Sequence, residues 1–277
     1  MVRVNKFSLN PRTLDDAAIK DGLEAVSILN DTESYFLVGG VASQSYLPTR
    51  CRRPTADIDF ALVRPLSKPD FRIMISPVQE YLHDMGYNSS PQISDASSSY
   101  ALLFWREGGD SLCLEFVRKS RKKFQEQEKM LVREYNNSRQ KIIEGRERTY
   151  RVCSPEDVVV PKLVRSINTL RRNQELINLI PSRLESLSDE DVEKRIRDIN
   201  QIRAEAMANP KDHHLSERLR FVSDIYDIRI LSELTGFNPE YFAEAERDWH
   251  DIEMHPELRE KIFKGALPMF FESQKTK

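Results

Sequence analysis

Asp57 and Asp59 stand two residues apart at the head of an apolar run, Ile58-Asp59-Phe60-Ala61-Leu62-Val63, and this constrains the fold more than any other stretch. The β-branched and aromatic content of the run predicts a strand. Side chains alternate across a strand, so both carboxylates point to one face. Like charges held that close repel unless a cation stands between them. Hard divalent cations take oxygen ligands, and Mg²⁺ is commonly held by one or two carboxylates together with phosphate oxygens. Upstream, Tyr35-Phe36-Leu37-Val38 ends on Gly39-Gly40, which predicts a second strand closed by a glycine turn. Glycine lets backbone N–H groups approach a phosphate, and a helix starting there adds partial positive charge. The pair of motifs therefore points to phosphate chemistry assisted by a metal. Ser43 and Gln44, just after the glycines, are further candidates to contact phosphate or the surroundings of the metal.

A third acid joins them. Tyr100-Ala101-Leu102-Leu103-Phe104-Trp105 and Leu112-Cys113-Leu114-Glu115-Phe116-Val117 flank the turn signal Glu107-Gly108-Gly109-Asp110, which predicts a β-hairpin. Glu115 is the one carboxylate in the second of these runs. An isolated acid in an apolar strand is costly unless it is paired or coordinated. Asp57, Asp59 and Glu115 thus form a candidate three-carboxylate metal site on neighbouring strands; a strand end with two exposed aspartates and a salt-bridged Glu115 is the plainer alternative.

Apolar spacing predicts a helix from Leu14 to Leu29 and another from Val41 to Tyr46. Pro48 and Pro54 then bracket a basic connection, Arg50-Cys51-Arg52-Arg53. Its arginines either clamp a triphosphate or an RNA end by bidentate contacts or form a solvated loop. A helix is expected over Phe71 to Met85, with a break or new start at Pro77. Beyond residue 150 the pattern is wholly helical. Ser154-Pro155-Glu156-Asp157 is a helix start, with a capping serine, proline in the first turn and acids at the positive end of the dipole. Pro161 should interrupt and kink that helix. Leu176 to Met207 is highly charged and predicts one or two exposed helices. Leu219 to Leu234 carries Phe221, Ile225, Ile228 and Leu231 on one helical face. Lys162 and Arg165 lie one turn apart, as do Asp224 and Asp227, so the four residues fit an interhelical salt bridge. In the company of the upstream motifs, Lys162 is also a candidate to neutralise charge on a triphosphate. His213-His214 lacks matching ligand spacing and reads as surface.

The chain has 277 residues and a formal net charge of -2, enough for one large domain or two ordinary ones and too neutral for a global field toward nucleic acid. Basic residues nevertheless outnumber acids from Arg118 to Arg151, which permits a local polyanion site, although solvated helix faces are the simpler account of such a run. Cys51, Cys113 and Cys153 have no C-x-x-C spacing, so neither zinc nor a disulfide framework is expected. No leader segment and no membrane-spanning run is expected, which makes a reducing, cytoplasmic location the default.

Val38-Gly39-Gly40, Asp57-Ile58-Asp59 and Leu114-Glu115-Phe116, in that order, resemble the motifs of the nucleotidyltransferase superfamily that includes DNA polymerase beta. More narrowly, Pro155-Glu156-Asp157 leading to Lys162-Leu163, and Arg220-Phe221-Val222-Ser223-Asp224-Ile225-Tyr226-Asp227-Ile228, resemble the AbiEii-type toxins of type IV toxin–antitoxin systems. The chain departs from that pattern in a longer spacer between Gly40 and Asp57, in Pro161, in a long segment between Lys162 and Asp224, and in Glu rather than Asp as third acid. The resemblance implies an α+β fold: a nucleotidyltransferase domain over residues 1–151, with a mixed β-sheet and flanking helices, followed by a helical domain over 152–277 that completes the site. It implies Mg²⁺- or Mn²⁺-dependent transfer of a nucleoside monophosphate from an NTP such as ATP to an acceptor hydroxyl, most simply a tRNA 3′ end, under the control of a cognate antitoxin. By position, Asp57, Asp59 and Glu115 would be metal ligands. Gly39, Gly40, Ser43, Arg53 and Lys162 would contact the nucleotide, and Asp224 would be a site residue of the helical domain. An antibiotic-type small-molecule nucleotidyltransferase and a non-enzymatic binding module with the same fold are the alternatives.

Overall fold

Among the described residues eight short strands pair into one mixed sheet, and its register decides which side chains meet. The computed structural model of the protein describes residues 9–29, 34–90, 94–95, 99–109, 111–117, 121–180 and 188–263. The chain divides into two compact units, Met1–Ser45 with Arg53–Ser154, and Tyr46–Arg52 with Pro155–Lys277. The architecture is the expected one: a mixed sheet with flanking helices, then a run of helices.

In the first unit the strands are β1 (Tyr35–Val38), β2 (Ile58–Leu62), β3 (Asn88–Ser89), β4 (Ser94–Asp95), β5 (Ser99–Trp105), β6 (Ser111–Val117), β7 (Arg139–Ile142) and β8 (Thr149–Val152). Their order is β3-β5-β6-β2-β1-β8-β7, with β4 also on β5. The predicted hairpin is present as β5 and β6, which pair antiparallel; Asp110 of its turn lies outside the described residues. Strand β2 pairs antiparallel with β1 and parallel with β6. The sheet is accompanied by the helices α1 (Ala17–Ser27), α2 (Gly39–Gln44), α3 (Lys68–Asp84) and α4 (Arg121–Asn137).

Alternation along the strands separates two faces. On one, Tyr35, Phe60, Phe116, Phe71 and Tyr100 form a continuous aromatic layer, from a 4.4 Å stack of Phe71 on Tyr100 to a 5.7 Å edge contact of Tyr35 on Phe60. Helices α1 and α3 close that face: the Tyr35 hydroxyl donates to the Val26 carbonyl at 2.7 Å, and Phe71 is an α3 residue. Full burial of such a ring contributes about 1.5–3 kcal/mol. The opposite face carries Phe36, which meets Tyr135 of α4, and then Asp59 and Glu115.

Helix α3 runs through Pro77 without the expected break. A proline lacks the N–H that would reach the carbonyl four residues back. Here that carbonyl, on Ile73, instead accepts from the Ser76 hydroxyl at 3.2 Å. Helix α5 (Pro155–Arg172) runs on both sides of Pro161 as one helix. The second unit goes on with α6 (Asp189–Ala208), α7 (His213–Leu234), α8 (Pro239–Arg247), α9 (His250–Glu253) and α10 (Pro256–Phe263). Ser188, Asp212 and Asn238 cap α6, α7 and α8 through their side-chain oxygens. Val159, Leu163, Phe221, Ile228, Leu231 and Phe242 are fully buried in its core. In the charged segment from Leu176, residues 181–187 lie outside the described residues, and α6 follows. No helix among the described residues is long and apolar enough to cross a membrane.

Candidate metal centre

The register of three strands assembles the acids. Asp59 on β2 pairs with Glu115 on the parallel strand β6 and, on its other side, with Val38 at the end of β1. Paired residues share a face, so Asp59 and Glu115 are side by side. Asp57 sits two residues earlier, just before β2 begins. Carboxylate oxygens of Asp57, Asp59 and Glu115 all lie within 4.8 Å of one another, and the three side chains are half-buried. Mg²⁺–oxygen bonds of about 2.1 Å place opposite ligands about 4.2 Å apart, and the longer Ca²⁺ bonds place them about 5 Å apart. An all-oxygen donor set within this spread fits a hard divalent cation such as Mg²⁺ or Mn²⁺. Repulsion among three such carboxylates supplies the driving force for taking one up.

Two hydroxyls hold the acids from behind. Thr55 Oγ1 donates to Asp57 Oδ1 at 3.3 Å. Ser99 Oγ on β5 donates to Glu115 Oε1. The backbone of Thr55 is itself fixed by a bridge to Arg12, with N–H···O distances of 2.8 and 2.9 Å. Neither hydroxyl was anticipated from the residue pattern. Ser99 lies diagonally across the β5–β6 hairpin from Glu115, so the signal was there once the hairpin register was set.

The two glycines serve the carboxylates directly. Gly39 has φ +74°, a backbone region that side chains disfavour, and a Cβ built on it would stand 2.2 Å from Asp59 Oδ2. A Cβ on Gly40 would stand 2.7 Å from Thr55 Oγ1. Glycine at 39 therefore leaves room for the Asp59 carboxylate, a reason that the glycine turn alone did not disclose. Ser43 is buried and donates to the Gly39 carbonyl at 3.1 Å. Gln44, also buried, accepts from the Leu14 N–H at 2.6 Å and donates to the Arg53 carbonyl at 3.1 Å, which ties the chain on either side of the site.

The basic connection is divided. Arg53 belongs to the first unit and is buried. Arg50 and Arg52 belong to the second, where Arg50 meets Asp189 at 2.5 Å and Arg52 donates to the Leu47 carbonyl at 3.0 Å. Much of the basic stretch after Arg118 is committed inside the first unit. Arg146 bonds Asp21 and Glu24 at 2.8 Å each, Arg151 lies 4.6 Å over the Tyr135 ring, Arg148 faces the Tyr81 ring, and Lys141 donates to the Ser45 carbonyl. Arg118 and Lys119 lie outside the described residues.

Lys162 and Asp224 come together in the second unit, between α5 and α7. Lys162 Nζ is 2.8 Å from Asp227 and 3.6 Å from Asp224, and Arg165 grips Asp224 through two hydrogen bonds of 3.0 Å. Lys162, Asp224 and Asp227 are buried, so two cations and two anions satisfy one another within the helix pair. The acids of the Pro155-Glu156-Asp157 start are engaged elsewhere. Glu156 accepts from the Asn238 N–H at 2.7 Å and Asp157 from the Tyr241 hydroxyl at 2.6 Å, which anchors α8.

No protein-family model matches the chain, and no curated protein matches it. Among solved structures, the chain is similar to the crystal structure of an antigenic nucleotidyltransferase-like protein from Paracoccidioides brasiliensis. The two share 12% identity with a TM-score of 0.45, over 93% of this chain and 96% of that one.

Proposed function

We propose that the protein is a divalent-metal-dependent nucleotidyltransferase that moves a nucleoside monophosphate from an NTP to an acceptor hydroxyl and releases pyrophosphate. The observation that carries this reading is the convergence of Asp57, Asp59 and Glu115 beside a glycine whose missing side chain leaves space for Asp59. Asp57 and Asp59 would hold Mg²⁺ or Mn²⁺, which would supply Lewis-acid stabilisation of charge on the phosphates and the leaving pyrophosphate. Glu115, oriented by Ser99, takes the proton of the acceptor hydroxyl. Gly39 and Gly40 line the approach of the triphosphate, and Ser43 and Arg53, both buried, enter the proposal through the sequence resemblance. Lys162 and Asp224 enter the proposal through the sequence resemblance; in the structure their charges are balanced within the α5–α7 ion network.

For the acceptor, the resemblance to AbiEii-type toxins favours an RNA, specifically a tRNA 3′ end, with a cognate antitoxin as partner. One observation favours a small-molecule acceptor instead: several cations that suggested a polyanion are spent on internal contacts. Both readings are tested by incubating the protein with α-labelled NTPs and Mn²⁺ or Mg²⁺, in parallel with total RNA and with aminoglycosides. Label on RNA or on the small molecule, absent in Asp59→Asn, supports the proposal and selects the acceptor. No transfer from any NTP by correctly folded protein with either acceptor refutes it.

A further inference from the structure

The second unit contains a cavity of about 270 Å³ between α6 and α7. Close-packed interiors hold few voids larger than a water molecule. A smaller apolar cavity, about 150 Å³, stays dry and takes up benzene. The walls here are mainly apolar, with Val192 and Ile199 from α6 facing Val222 and Ile225 from α7. Three arginines join them: Arg195, Arg218 and Arg229.

The charges are sorted by depth. Arg229 is 2% exposed and Arg195 and Arg218 are half-buried, while the acids at the cavity, Asp191, Asp198 and Glu205, are all exposed. Asp191 accepts from Ser188 at 2.8 Å, and Glu205 accepts from Gln201 at 3.2 Å. Arg229 Nε donates to the Ile262 carbonyl at 3.3 Å. Arg218 Nε is buried and has no hydrogen-bond partner among the described residues. Burial, and then the Arg195 charge, push the Arg229 guanidinium down to about 10, while Glu233 pulls the other way. The inner end of the cavity is therefore cationic and poorly solvated, and its mouth is acidic.

We propose that this cavity binds an amphipathic monocarboxylate, its apolar body against the α6 and α7 walls and its carboxylate on the arginines at the inner end. Guanidinium and carboxylate match as a planar, bidentate pair. The acids at the mouth disfavour ligands of higher negative charge, which selects one carboxylate over a polyphosphate. The site lies wholly within the second unit and does not depend on the nucleotide chemistry.

Octanoate is a suitable probe, with octanol and octylamine as controls, using the full-length protein in calorimetric titration and thermal melting. The expected result is saturable binding of octanoate, with a rise in melting temperature that neither control matches. Arg229→Met keeps the apolar volume and should weaken octanoate by about tenfold or more, while leaving octanol unchanged. Arg195→Met, at a half-buried position, gives the same comparison should the first variant fail to fold. Ile199→Trp fills the cavity without touching an arginine and should abolish binding. The proposal is overturned if octanoate does not bind at millimolar concentration, if octanol binds as tightly, or if the folded arginine variants bind octanoate with unchanged affinity.

Discussion

Replacing Gly39 by alanine separates the two reasons for glycine at that position. The φ of +74° imposes a backbone cost of about 1–2 kcal/mol on any residue with a Cβ. The new Cβ would also stand 2.2 Å from Asp59 Oδ2, and Cβ contacts under 3.0 Å do not occur. The carboxylate must therefore withdraw by nearly 1 Å, leaving its place beside Glu115 or entering a strained rotamer at about 0.5–1.5 kcal/mol. The combined loss is about 1.5–3.5 kcal/mol, and at about 2–4 °C per kcal/mol it lowers the melting temperature by roughly 3–14 °C. Misplacement by this distance typically costs about a hundredfold in catalysis. Two controls isolate the terms. Gly86 has φ +85° and open space around its Cβ position, so Gly86→Ala carries only the backbone cost. Gly40 is not in the positive-φ region, and its Cβ would meet Thr55 Oγ1, so Gly40→Ala disturbs Asp57 indirectly through that hydroxyl. The assay is Mn²⁺ binding by titration calorimetry together with thermal melting of the metal-free protein. Gly39→Ala should lose Mn²⁺ affinity and Gly86→Ala should not. Mn²⁺ binding by Gly39→Ala at the parent's affinity, or melting no lower than Gly86→Ala, would refute this role for Gly39.

Asp59→Asn removes one charge from a repulsive cluster, so its metal-free melting temperature should equal or exceed the parent's, while the rise produced by Mg²⁺ should vanish. Lys162→Met leaves Asp227, 1% exposed, without its nearest cation and should cost about 3–5 kcal/mol in urea unfolding; adding Asp227→Leu should recover much of that. Burial pushes the Cys51 thiol up. A raised thiol favours the fold below its unfolded value and loses that contribution as pH rises through the folded value, so the native protein should resist thiol-specific reagents at mildly alkaline pH and react at three cysteines only in denaturant.

The strand pattern was legible because each element carries its own period. Tyr35-Phe36-Leu37-Val38 became β1 with those limits, and the hairpin runs became β5 and β6. The meeting of Asp59 with Glu115 was anticipated from one acid in each apolar run, and the parallel register supplied it. Strands β7 and β8 went unseen because Arg139-Gln140-Lys141-Ile142 is a mostly polar edge and Thr149–Val152 alternates over only four residues. Pro77 misled for a local reason: helix breaking assumes an orphaned carbonyl, and the Ser76 hydroxyl removes that penalty one residue before it. The helical motifs were visible as residues but not as partners. Nothing in Pro155-Glu156-Asp157 says that its acids anchor α8, because Asn238 and Tyr241 lie more than 80 residues away.

The position of the acids in the sheet follows from a conflict between two requirements. A cluster of three carboxylates destabilises the fold that carries it, and the strands must stay in register with no metal bound. The opposite face supplies the restoring term. Phe60 and Phe116 are the immediate neighbours of Asp59 and Glu115 in sequence, they pair with each other across β2 and β6, and their rings stack at 5.1 Å. A one-residue slip of β2 would carry Phe60 onto the acidic face and Asp59 into the aromatic layer. The apolar contacts that fold the sheet therefore also fix the alignment of Asp59 with Glu115, and the acids can repel without parting. Substitution of Phe116 by alanine should on this account cost more than the roughly 3–5 kcal/mol of a lost core ring. It should also weaken Mn²⁺ binding although Phe116 faces away from the metal, whereas Phe71→Ala, in the same layer but off the two strands, should lower stability and leave the affinity of the folded protein unchanged.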